Sequence, residues 1–153
     1  PKLNDVSTDI DDPPAFSRSR AALAARHDRV PPEIDRATRE RQRAAYPTIS
    51  PLQLDHSVDE AFDLARRSAL ALGWTIIEQT PPGGRTGAGR IEAMQRTTIL
   101  KFTDDVTIRV RPRAEGSRID IRSASRIGQH DFGANARRIR RFFDEIQLLE
   151  FVR

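Results

Sequence analysis

The densest concentration of residues able to do polar chemistry lies late in the chain. Asp104 and Asp105 precede Arg109, then Arg122, Ser123, Ser125 and Arg126 fall within one short stretch, and Asp131, Asn135 and Arg138 follow. Carboxylates can act as acid or base groups, and guanidinium forks can hold a carboxylate or phosphate through two parallel hydrogen bonds. Two uses of this cluster stand open. One is an Arg/Asp ladder paired across strands, with hydrogen bonds that anchor the adjoining loops. The other is a polar surface on which unpaired guanidinium groups receive the anion of a ligand or partner. Ser123 and Ser125 have no nucleophile elbow and no His with a definable partner, so a hydrolytic triad is not expected.

Other suggestive stretches favour plainer readings. Gly83-Gly84-Arg85-Thr86-Gly87-Ala88-Gly89 resembles a phosphate cradle, but such a loop needs Gly-Lys-Ser/Thr running into a helix. Here it leads into a strand-like segment and reads as a hairpin connection. Asp5, Ser7, Asp9, Asp11 and Asp12 resemble calcium ligands, yet Ile10 and Phe16 stand where an EF-hand loop needs Gly and Glu. His27, His56 and His130 are scattered without ligand spacing, and the chain has no Cys, so no metal and no cofactor is expected. Arginine supplies 24 of the 26 basic residues throughout the chain, a composition habit rather than a patch, and base-stacking aromatics are few. Nucleic acid is therefore not the expected partner.

The elements that must position the cluster are legible from periodicity. Residues 1–16 have net charge −3, no period, and Asp12-Pro13-Pro14, which bars helix and predicts an extended arm packing over the domain through Phe16. Ser17 to Ala45 allows two short helices broken at Pro31-Pro32, the second starting near Glu33 with a thin apolar face of Ile34, Ala37, Ala44 and Ala45. Ile49 to Leu54 is a short extended run that Pro51 confines to a sheet edge or a bulge. Ser57-Val58-Asp59-Glu60 is a capping box, and Val58, Ala61, Phe62, Ala65, Ala69 and Leu72 follow at helical spacing up to Gly73, which predicts a helix over 58–72. Four strands are predicted next, Trp74–Gln79, Arg90–Thr97, Asp105–Pro112 and Ser117–Ser125. After Asp131 as N-cap, a final helix places Ala136, Ile139, Phe143 and Ile146 on one stripe.

On the predicted hairpin, Val106, Ile108 and Val110 alternate with Arg109 and Arg111, and Ile119 and Ile121 alternate with Asp120 and Arg122, so one sheet face is apolar and the other charged. Both long helices must cover the apolar face. The expected fold is α+β: a two-layer helix-grip-like domain, with an antiparallel sheet of four to five strands and two helices on one face. The division is 1–46 for the arm and short helices and 47–153 for the α+β domain, with the charged face left uncovered.

Asp5-Val6-Ser7-Thr8-Asp9, Asp12-Pro13-Pro14-Ala15-Phe16, Tyr46-Pro47, Pro51-Leu52, Gly73-Trp74, Arg90-Ile91-Glu92-Ala93, Phe102-x-Asp104-Asp105 and the run from Asp120-x-Arg122-Ser123-x-Ser125-Arg126 through Gly128, Asp131, Gly133 and Asn135 to Arg138-Ile139 closely resemble the domain of unknown function (DUF) 1499 family. The match spans nearly the whole chain. The resemblance implies no activity. It does imply a bacterial cell-envelope setting, periplasmic or membrane-anchored, behind a signal, lipid anchor or membrane helix. The chain starts at Pro1 without Met, so such an upstream segment is expected. The expected role is a non-enzymatic binding or interaction domain whose Arg/Asp-rich surface meets an envelope protein or anionic ligand. A hydrolase or transferase acting on an anionic envelope substrate is the alternative, with nucleic-acid binding as the second.

Overall fold

The computed structural model describes residues 3–97, 101–128 and 131–152. In chain order it contains β1 (Asp5–Ser7), α1 (Arg20–Ala25), α2 (Arg36–Ala45), β2 (Leu52–Leu54), α3 (Val58–Ala71), β3 (Thr75–Thr80), β4 (Gly89–Arg96), β5 (Thr103–Arg113), β6 (Gly116–Ser125) and α4 (Ala134–Phe151). The fold is α+β, with a six-stranded antiparallel sheet and four helices. Among the described residues no helix is long and apolar enough to cross a membrane.

Strands β3 to β6 form a meander in which each pairs antiparallel with the next. The sheet has six strands rather than four to five because the free edge of β6 is long enough for two partners. β1 pairs with it across Arg122, Ser123 and Ala124, and β2 across Ser117, Arg118 and Ile119. A three-residue strand is too short to show a period of two, so β1 leaves no pattern in the arm.

Helix α3 forms where the capping residues demand it. The Ser57 side chain accepts from the Glu60 backbone N–H, and the helix ends in a Schellman turn with Gly73 at φ 80°, Gly73 N–H on Leu70 O and Trp74 N–H on Ala69 O. Along the sheet, register sets Ile108 between Ile91 and Ile121, and Val106 between Ala93 and Ser123. The apolar residues of these two rows join Phe62, Leu64 and Ala65 of α3 and Ile139, Phe142 and Ile146 of α4 in one core. Each large apolar side chain buried there contributes about 1.5–3 kcal/mol, which holds both helices on this face. Trp74 stacks on Phe142 at 5.2 Å between ring centroids.

Three expectations need correction. The charged sheet face is not uncovered: residues of the N-terminal arm and the C-terminal end of α1 lie against it, and Asp105, Asp120 and Arg122 are buried there. The cause is electrostatic, since arm carboxylates and Arg26 find partners on that face. Helix α2 starts at Arg36 after an Asp35 cap rather than near Glu33, and of its predicted apolar face Ala37 and Ala44 are exposed. Gln42 anchors it instead, accepting from Ser7 N–H at 3.0 Å and donating to Ser7 O at 2.7 Å, as a neighbouring strand would. The N-cap position of α4 is Gly133 rather than Asp131, although the Asp131 carboxylate still accepts from the Gly133 and Asn135 backbone N–H groups.

Candidate functional site

Because successive strand residues point to opposite faces, the pleat divides the predicted polar cluster in two. Asp105, Arg109, Arg122 and Arg126 project from the face under the arm. Asp104, Ser123 and Ser125 project on the helix side, where the start of α4 brings Asn135 and Arg138 against them and Asp131 approaches from the preceding loop.

Under the arm, Arg26 is fully buried at 1% exposure. It donates to Asp105 (2.9 Å), Glu92 (2.7 Å) and the carbonyls of Ala93 and Val106 (3.1 Å each). Arg126 adds a two-pronged contact to Asp105, both bonds 2.9 Å. Glu92 also accepts from the Thr107 hydroxyl and from Ser17 N–H. Arg122 grips Asp5 through bonds of 3.0 and 2.6 Å and donates to Pro32 O. The guanidinium groups of Arg26 and Arg122 each lie 4.9 Å from the centroid of the Phe16 ring, which is how Phe16 holds the arm down. Farther along, Arg109, Arg111 and Arg118 face Asp9 and fully buried Asp120. Burial, reinforced by neighbouring Arg111, holds Arg109 below the ordinary arginine pKa. The arm's acids are thus consumed by arginines, Asp11 by Arg43 included.

On the helix side every guanidinium nitrogen of Arg138 is engaged. Its bonds reach Gln95 (2.5 Å), Ser123 (3.1 Å), Asn135 (2.9 Å) and Asp104 (2.8 Å). Ser123 donates to Asn135 at 2.6 Å, and the Asn135 amide donates to Asp131 at 2.7 Å and Ser125 at 2.9 Å. Burial raises the Asp104 pKa above its ordinary value, with the Arg138 charge working in the other direction.

Above this network opens a cleft of about 640 Å³, between the β4 and β5 ends of the sheet and the first turns of α4. Its lining includes Leu72, Trp74, Phe102 and Ile127 as apolar wall, Asp104, Ser125 and Asp131 on the polar side, and Arg96, Arg137 and Arg141 around them. Among the described residues Arg141 has no hydrogen-bond or ion-pair partner, and Arg137 uses one amino group on Phe132 O.

The family model described as "Protein of unknown function (DUF1499)" matches residues 5–146. The chain belongs to the DUF1499 family. No curated protein and no solved structure matches it. Within this DUF1499 chain the matched span includes both networks and the cleft. Arg26, Glu92, Asp120, Phe16 and Gln42 are central to the structure but absent from the expected site. Nothing in the spacing of Arg26 separates it from Arg18, Arg20 or Arg29. Glu92 and Asp120, by contrast, alternate with apolar strand residues and could be assigned to the charged face from the sequence.

His27 is exposed, His56 bridges Glu60 and Glu150 at 2.9 and 2.7 Å, and His130 lies outside the described residues. Among the described residues no group of three or more His, Asp or Glu is placed to hold a metal. The glycine loop joins β3 to β4 as a strand-to-strand connection.

Proposed function

We propose that this protein is a non-catalytic binding domain that takes an amphipathic anion in the cleft beside α4. The observation that carries the reading is the cleft itself. Its size of about 640 Å³ falls within the range of small-molecule sites. Trp74, Leu72 and Phe102 offer an apolar wall, while Arg137 and Arg141 hold unspent donors for an anionic group. The Arg/Asp face under the arm suits the reading less, because Arg122 and Arg126 are already engaged. In this reading the fold is of helix-grip type, with α3 and α4 on one sheet face and the ligand held where α4 leaves it. The envelope setting, periplasmic or membrane-anchored, belongs to the same proposal and is supported by the family resemblance.

Trp74 is the single tryptophan of the chain and lines the cleft, so binding has a built-in reporter. Titration with 8-anilinonaphthalene-1-sulfonate, an amphipathic anion, is expected to quench Trp74 by energy transfer. Arg137→Glu with Arg141→Glu is expected to weaken the probe by about tenfold or more. Unchanged Trp74 emission up to roughly millimolar probe would refute the reading.

One observation favours a second reading, a hydrolase or transferase acting on an anionic envelope substrate. Asp104, with its raised pKa, shares the cleft with Ser125 and Asp131. Against it, Asp104 is paired with Arg138 and Asp131 is occupied by Asn135 and backbone N–H groups. Turnover of a phosphate or carboxylate ester that disappears in Asp104→Asn, with probe binding retained, would favour catalysis over binding.

A further inference from the structure

We propose that the mouth of this cleft is a docking surface for an anionic lipid bilayer. The inference deepens the amphipathic-anion reading by naming the source of its ligand, and in that respect rests on it. Seven large apolar side chains are exposed among the described residues, and three of them, Phe102 (39%), Ile127 (58%) and Phe132 (82%), line this one cleft. They come from two separate loops, before β5 and after β6. The Arg126 N–H bond to Thr103 O carries the strand pairing past its end, so Phe102 and Ile127 fall side by side.

Among the described residues that line the cleft, the exposed charges are positive. Arg96, Lys101, Arg137 and Arg141 are exposed beside them. Of the carboxylates within the cleft, Asp104 is paired with Arg138, and both oxygens of Asp131 are engaged by N–H groups of Gly133 and Asn135. Apolar tips ringed by cations are complementary to a bilayer, whose anionic headgroups attract the cations while its acyl boundary takes the apolar groups. Lys101 and Phe132 also hold left-handed backbone, at φ 55° and 52°, a conformation that disfavours residues with a Cβ. A protein partner would match the positive charge equally well. A bilayer also accounts for apolar tips flanking an open apolar cleft, because the ligand then moves between two apolar environments.

Flotation with phosphatidylcholine vesicles, with and without phosphatidylglycerol, tests this. The chain is expected to bind the phosphatidylglycerol vesicles at least about tenfold more tightly, and to lose that binding as salt rises. Ile127→Ser with Phe132→Ser is expected to weaken vesicle binding about tenfold or more. Because both side chains line the cleft, retention of the soluble probe is read in Lys101→Glu, which lies outside the cleft lining and is expected to weaken binding to phosphatidylglycerol vesicles while anilinonaphthalene sulfonate still quenches Trp74. Arg96→Glu with Lys101→Glu should act in the same direction. Probe binding without binding to either vesicle would overturn the docking and leave the cleft reading intact. Vesicle binding that ignores both pairs of changes would overturn it as well, as would rim-dependent self-association without vesicle binding, which would point to a protein partner. Vesicle binding that depends on Ile127 and Phe132 in a chain indifferent to the probe would uphold the docking and remove the cleft ligand.

Discussion

Asp104 and Asp105 are neighbours in the chain and lie on opposite faces of the sheet, the first paired with Arg138 and the second held between Arg26 and Arg126. One peptide bond thus separates the network beneath the cleft from the network that fastens the arm. The two sets of residues answer to different tests.

Arg26 is the keystone of the arm network. Arg26→Ala takes from buried Glu92 its guanidinium partner at 2.7 Å and leaves only Arg90 at 3.8 Å, and removing one partner of a buried pair costs about 3–5 kcal/mol. Urea denaturation should register that loss. Arg26→Lys should recover little of it, because an ammonium cannot reproduce four bonds made from a planar fork. Full stability in Arg26→Ala would show that the arm is held by other contacts.

Phe16 tests the same seal by another route. Phe16→Leu keeps apolar volume but removes the ring facing both Arg26 and Arg122. A loss of about 0.5–2 kcal/mol is expected. Protease cleavage confined to the arm should accelerate in parallel, visible by mass spectrometry of the released fragments.

His56 makes stability depend on pH. Partial burial opposes its charge, but hydrogen bonds to Glu150 and Glu60 outweigh this and raise its pKa above 6.5. A raised folded-state value means the charged ring stabilises the fold fully below pH 6.5, and the contribution fades as pH climbs through the raised value. The urea midpoint of the wild type should fall across that interval. His56→Asn should flatten the change, and an identical slope in the variant would remove His56 as its cause.

Gly116 has φ 131°, and a Cβ there would collide with the carbonyl of Leu54. Gly116→Ala should push β2 off the edge of β6 and cost more than about 1 kcal/mol. Loss of amide-exchange protection at Leu52–Leu54, with β4 and β5 still protected, would locate the damage.

Much of this could be traced from residue order. The alternation of Val106, Ile108 and Val110 with Arg109 and Arg111 reveals a two-faced strand, and Ser57 with Gly73 brackets α3 closely. The same alternation already separates Asp104 from Asp105, and Ser123 and Ser125 from Arg122 and Arg126. Grouping them as one cluster follows nearness along the chain instead of the pleat. The arm offers no such foothold. Asp5, Asp9 and Arg26 are placed by ionic partners about 80 to 120 residues away, and an isolated charge in an aperiodic stretch carries no mark of its partner.

Local rules therefore account for the meander, the two long helices and the sides on which their side chains fall, because capping and periodicity act over a few residues. Folding alone settles that the charged face is sealed, that every guanidinium nitrogen of Arg138 is engaged, and that Trp74, Phe102 and Arg141 meet around one cleft. Each of those outcomes requires segments far apart in the chain to come together, and the energy that selects them exists only once they touch.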